Sequence, residues 1–134
     1  MTGFVGIHMA VTDMAATMAF YRRIGLDVPE GAEQESHVEI DMGGGAHLAF
    51  STPAIIAMYD PGWRGPSAGT ATVLQFSLPS REAVDDLYRT LVGAGYTGHL
   101  VPIDAFWGNR YCEVDDPDGH TVGFHSAPND GRRA

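Results

Sequence analysis

Only one cysteine, Cys112, occurs in the 134 residues. No intrachain disulfide can form, and no cluster of thiolates is available to hold a metal. A lone thiol fits a reducing compartment, so a cytoplasmic protein is expected. No apolar run approaches the ~20 residues of a membrane span. Met1-Thr2-Gly3-Phe4 lacks a basic region ahead of an apolar block, so no signal peptide is expected. Basic charge is scarce as well, with 8 Lys and Arg against 17 Asp and Glu, for a net charge of −9. Phosphate recognition needs a basic face, so nucleic acid is not an expected partner. The acidic surplus suits a cationic ligand or simply keeps the protein soluble.

What is present is alternation. Residues 3–11 place Val5, Ile7, Met9 and Val11 on one side and Gly6, His8 and Ala10 on the other, which is the period of a strand. Thr12-Asp13 supplies a helix cap, and Met14, Met18, Tyr21 and Ile24 follow at helical spacing until Gly25. A short strand is predicted over 26–29 and a polar loop over 30–35. Alternation returns over 36–42, where Val38, Ile40 and Met42 oppose His37, Glu39 and Asp41. Three glycines at 43–45 form a turn before a strand at 46–51, where Leu48 and Phe50 oppose His47, Ala49 and Ser51.

Residues 52–69 read as an irregular connection that carries Tyr59 and Trp63. A strand follows over 71–78, with Leu74, Phe76 and Leu78 opposite Val73, Gln75 and Ser77. Ser80 caps a second helix over 80–93, with Val84, Leu87, Leu91 and Val92 as its apolar stripe. A strand over 97–102 leads to an aromatic turn, Phe106-Trp107-Gly108. The strand from Arg110 to Asp115 then enters the turn Asp116-Pro117-Asp118-Gly119, and His120 to Phe124 runs back. Proline presets the first turn dihedral and glycine accepts positive φ.

The second half overlays the first. A shift of 67 residues brings Asp13 onto Ser80, Tyr21 onto Tyr88 and Arg22 onto Arg89. A shift of 74 brings the segment 45–50 onto 119–124. Both halves then read β-α-β-β-β, module one over about 3–51, the connection over 52–69, module two over about 70–126 and a short tail over 127–134. One domain is expected for a chain of this length.

The wording W-G-x-R-x-x-x-x-x-D-P-D-G, from Trp107 to Gly119, resembles the closing hairpin of the vicinal oxygen chelate superfamily. That group holds glyoxalases, extradiol dioxygenases and bleomycin-resistance proteins. The resemblance spans residues 4–126. It implies an α+β fold of two tandem βαβββ modules, with a mixed sheet curled around a cavity and helices on the outer face. On the polar strand faces lie His8, His47, Gln75, Tyr111, Glu113, Thr121 and His125, mixed with glycine and alanine. Such a face lines a pocket or is an ordinary wetted surface.

Metal-dependent members of the family use up to four side chains, usually His and Glu, from the first and last strand of each module. Counting from the helix cap and the turn glycine, the resemblance puts those slots at Gly6, Ala49, Val73 and Gly123. None has a side chain that binds a divalent cation. No metal, no other cofactor and no assigned catalytic residue is therefore expected. A slip of two residues along the strands gives His8, Ser51, Gln75 and His125 as a displaced set, which is kept as an alternative.

The candidate rim is aromatic, with Tyr59, Trp63, Phe106, Trp107 and Tyr111. Flat, rigid side chains of this kind bind planar ligands by stacking, and they equally serve as core. Metal-free relatives include antibiotic-binding resistance proteins that act as dimers. The expected function is thus sequestration of an aromatic or polycyclic natural product by a homodimer. Tyr59, Trp63, Phe106, Trp107, Tyr111, His8, His47, Gln75, Glu113 and His125 are the candidate ligand contacts. The alternative is a glyoxalase-like lyase or isomerase that uses His and Glu for acid–base chemistry or the displaced metal site.

Overall fold

The structure, a computed structural model, describes residues 3–63, 65 and 72–127. The remainder of the predicted connection and most of the predicted tail lie outside the described residues. The chain divides into two compact units, Met1–Ala68 and Gly69–Ala134. Each has its own open sheet of mixed parallel and antiparallel strands, which establishes the α+β class.

The first unit runs β1 (Gly6–Ala10), α1 (Met14–Arg23), a 3-10 turn (Ala32–Gln34), β2 (His37–Gly43), β3 (Ala46–Ser51) and α2 (Pro53–Tyr59). The strand order is β1-β3-β2, with β1 parallel and β2 antiparallel to the central β3. The Asp13 carboxylate accepts the Ala16 N–H at 3.0 Å and starts α1 as its sequence predicts. Tyr21 of α1 packs on Phe50 of β3 with ring centroids 5.0 Å apart, and both side chains are fully buried. Met18, Ile40 and Val11 complete this core.

Two expectations for this module need correction. Residues 26–29 form no strand. The Arg22 guanidinium takes the carbonyls of Val28 and Pro29, at 3.4 and 2.9 Å, as well as the Glu33 carboxylate. Those carbonyls are thereby satisfied without a ladder. The first module is β-α-β-β in place of the predicted β-α-β-β-β. The connection is also less irregular than predicted, because Pro53 sits in the first turn of α2, where its missing N–H costs nothing.

The second unit does have the predicted order. It runs β4 (Val73–Ser77), α3 (Arg81–Gly93), β5 (Gly98–Asp104), β6 (Arg110–Asp115) and β7 (Thr121–His125). Its strand order is β4-β7-β6-β5, again with the last strand parallel to the first. The hairpin turn is held by the buried Asp116, whose carboxylate accepts the N–H groups of Asp118 and His120 at 3.0 and 2.9 Å. Gly119 follows with φ 84°, the left-handed conformation that glycine supplies. Arg110 links the layers through Asp85 of α3 at 2.9 Å and Asp104 of β5 at 3.2 Å. Val84, Leu91, Val114, Val122 and Phe124 are fully buried.

Cys112 is fully buried on β6. Burial first, and the Asp85 carboxylate second, push its thiol from 9.0 up to about 12. The thiolate is the reactive form, so the native protein is expected to resist a thiol-specific reagent at pH 8 and to label only as it unfolds. The unfolded thiol ionises first, so stability is complete below pH 9 and declines between pH 9 and about 12. Cys112→Ala is expected to remove that part of the alkaline loss, as read from denaturant midpoints across this range.

Candidate functional site

The parallel pairing in each unit sets which side chains stand together. In the first sheet His8 is level with Ala49, which is level with Glu39 on the other side. In the second sheet Gln75 is level with Gly123, which is level with Glu113. Both rows place a small residue on the central strand between a polar side chain and a glutamate. They agree with the sequence shifts, which carry position 8 onto 75, 49 onto 123 and 39 onto 113.

In the first unit the polar groups form a continuous chain. His8 Nε2 lies 2.7 Å from Ser51 Oγ, and Ser51 Oγ lies 2.6 Å from His37 Nδ1. His37 Nε2 lies 3.0 Å from a Glu39 carboxylate oxygen. At the other end the Tyr59 hydroxyl is 3.5 Å from His8 Nδ1, with the two rings stacked at 6.3 Å. Ser51 is fully buried, so its hydroxyl must be paired within the protein. His8 is held below its ordinary 6.5, by burial first and by the neighbouring His37 second, while Glu39 opposes the shift. The bond from His37, then the nearby His47, hold the Glu39 carboxyl below its usual range. Glu39, Asp41, Gly45, Ala46 and His47 line a depression of about 390 Å³. Trp63 lies in the turn after α2, half-buried, with its N–H on the Asp60 carbonyl at 3.1 Å.

In the second unit Gln75 Nε2 donates to the Tyr111 hydroxyl at 3.3 Å, and that hydroxyl donates to Glu113 at 2.6 Å. Tyr111, expected at a pocket rim, is buried on β6. Burial first, and then the bond to Glu113, push its phenol up to about 12. A Cβ added to Gly123 would overlap the Tyr111 hydroxyl and lie 2.9 and 3.0 Å from two ring carbons. The Tyr111 ring therefore occupies the space of a side chain at position 123. His125 stands over Tyr111 with ring centroids 6.4 Å apart, and its Nδ1 is 3.4 Å from Asn109.

The aromatic turn extends this cluster outward. Gly108 N–H closes onto the Ala105 carbonyl at 2.9 Å, which leaves Phe106 and Trp107 at the tip. Their rings meet edge to face at 4.9 Å, and Trp107 meets Tyr111 at 5.7 Å. Phe106 is 93% exposed and Trp107 49% exposed.

Of the residues expected from the sequence as ligand contacts, the structure brings His8 and Tyr59 together in the first unit, and Gln75, Glu113, His125, Tyr111, Trp107 and Phe106 in the second. The sequence reading missed His37 and Glu39 as site residues. Their signal was the tight glycine turn at 43–45, which pairs β2 with β3 and brings His37 level with Ser51. Of the displaced metal set, His8 contacts Ser51, while Gln75 and His125 each contact other partners. Among the described residues no group of three or more His, Cys, Asp or Glu is arranged to hold a metal ion.

Comparison with known proteins assigns the family. The family model of the Glyoxalase/Bleomycin resistance protein/Dioxygenase superfamily matches residues 3–124. A glyoxalase/bleomycin resistance protein/dioxygenase family enzyme from Burkholderia phytofirmans PsJN superposes with a TM-score of 0.77 at 20% identity, covering 90% of this chain and 95% of that one. A glyoxalase-related enzyme from Fulvimarina pelagi gives 0.77 at 20% identity, over 95% and 89%. A lactoylglutathione lyase from Agrobacterium tumefaciens gives 0.65 at 17% identity, over 94% of each chain. These likenesses show the fold. No curated protein matches the chain. With the family match covering nearly all of both modules, the chain belongs to the glyoxalase/bleomycin resistance protein/dioxygenase superfamily.

Proposed function

We propose that this chain is a metal-free member of its superfamily that binds an aromatic or polycyclic small molecule and sequesters it unchanged. The observation that carries the reading is the pair Phe106 and Trp107, held out at a turn tip and continuous with Tyr111. Phe106, 93% exposed, and Trp107 beside it present a contacting aromatic pair on which a planar ligand can stack. Tyr59 and Trp63 supply a second aromatic set in the first module. An antibiotic or other natural product is the ligand class that such surfaces fit, and a cytoplasmic homodimer is the proposed working form.

A family metal does not fit the residues at its slots. Gly6, Ala49, Val73 and Gly123 offer no donor atoms. A side chain at position 6 would overlap the His47 carbonyl, and at position 123 the Tyr111 ring. A second reading, acid–base chemistry by histidine and glutamate, is favoured by the chain from His8 to Glu39.

Two outcomes are expected. Planar polycyclic natural products are expected to quench tryptophan fluorescence and to be recovered intact. Trp107→Ala is expected to weaken binding about tenfold, or ~1.4 kcal/mol, in calorimetric titration. Unchanged affinity in both Trp107→Ala and Trp63→Ala, or recovery of a modified compound, would reject sequestration at these surfaces. Sedimentation with and without ligand reads the dimer. Secondly, Gly123→Glu alone is expected to lose about 1–3 kcal/mol of stability by overpacking against Tyr111. In a Tyr111→Ala background the same change is expected to cost less, as read by a double-mutant cycle in denaturant unfolding.

A further inference from the structure

We propose that His8, Ser51, His37 and Glu39 form a one-way hydrogen-bond relay that accepts a proton from a weakly acidic ligand, a phenol or an enol, at His8 Nδ1, where the Tyr59 hydroxyl stands in the free protein. The site lies within the first module and does not rest on stacking at Phe106 and Trp107.

The direction follows from the far end. An ionised carboxylate only accepts, so the hydrogen between His37 and Glu39 belongs to His37 Nε2. In neutral His37 the other nitrogen, Nδ1, is then an acceptor, and Ser51 must donate to it. The Ser51 oxygen is left to accept, which puts the hydrogen of neutral His8 on Nε2. His8 Nδ1 thus carries a free lone pair at the module's polar surface. The exposed Tyr59 hydroxyl, 3.5 Å away, donates to it only loosely. A ligand hydroxyl takes the place of Tyr59 and makes the shorter bond.

Proton transfer then has a balanced course. The ligand O–H proton passes to His8 Nδ1, and the electron pair stays on the ligand oxygen. The His8 Nε2 hydrogen moves to Ser51, and the Ser51 hydrogen moves to His37 Nδ1. The ligand becomes an anion and His37 an imidazolium, paired with Glu39 at 3.0 Å. His8 and Ser51 end neutral. His37 and Glu39 have side chains 41% and 54% exposed, so the proton can leave to water from that end. Among the described residues, His47 and Asp41 share the depression with Glu39. The His47 field disfavours a cation at His8. The Glu39 carboxylate stands 3.0 Å from His37 Nε2, placed to pair with the charge that arrives there.

The test uses the full chain and 4-nitrophenol, whose phenolate absorbs visible light. Nitrogen-edited NMR of the free protein is expected to find neutral His8 with its hydrogen on Nε2. With 4-nitrophenol one pH unit below the probe's own pKa, wild-type protein is expected to build up phenolate absorbance to a saturating level. His8→Ala is expected to abolish that signal. Ser51→Ala breaks the relay, and Glu39→Gln keeps an acceptor for His37 but removes the charge. Each is expected to lower the ratio of ionised to neutral bound probe about tenfold, the equivalent of one pKa unit. Glu39 is half-exposed, so its substitution reads the relay even if a change at the buried Ser51 perturbs folding. Hydrogen on His8 Nδ1 would overturn the proposal. So would an absent wild-type phenolate signal, or one unchanged in Glu39→Gln. Such failures would leave ligand quenching through Trp107 as it stands.

Discussion

The parallel pairing of the first and last strand of each module is the constraint on which the site depends. A parallel pair cannot be closed by a hairpin and needs a crossover, which α1 and α3 supply. The crossover frees the last strand to sit inside the sheet, with neighbours on both sides. A residue on that strand therefore sees side chains from two others on the same face. Where it is small, as at Ala49 and Gly123, the flanking groups can lean over it. The Tyr111 ring does so over Gly123. The polar groups of the candidate site are thus the neighbours of the family's ligand slots.

The two modules use the same scaffold to opposite ends. The shifts of 67 and 74 carry His8, Ser51, His37 and Glu39 onto Gln75, His125, Tyr111 and Glu113. In both, a hydrogen-bond chain ends on the glutamate. The first chain passes through two imidazoles, each of which donates at one ring nitrogen and accepts at the other. The second passes from an amide through a phenol pushed up to about 12, which stays protonated across the physiological range. The phenol of module two keeps its proton, and the imidazole chain of module one is the one on which the proposed relay rests.

Period-two alternation and turn chemistry were enough to place the strands, because each strand buries one face and the glycine turns fix register. β3 and β6 fall on their predicted residues, and the helix caps at Asp13 and Ser80 bond as their positions imply. The missing strand at 26–29 was not legible. It depends on where one long side chain, Arg22, places its five donors. The helix at 53–59 was hidden by proline, read as a loop signal where it was a first-turn residue. The site was half legible for a related reason. Alternation says which face a residue is on, but it does not say which residue of a neighbouring strand stands level with it. His37 and Glu39 were seen as polar and not as partners, because partnership is a property of register.

Register also explains why the two modules are unequally far from the family's metal chemistry. At Gly123 the obstruction is a side chain, which can turn or be shortened. At Gly6 it is the backbone carbonyl of His47, on the neighbouring strand that pairs with it. Restoring a ligand there requires β1 to move against β3. The groups hydrogen-bonded across that pair, His8 and Ser51, would move with it. The relay and a metal ligand at position 6 thus demand incompatible spacings of the same two strands. In this chain the spacing is the one that keeps the Ser51 hydroxyl between two imidazoles.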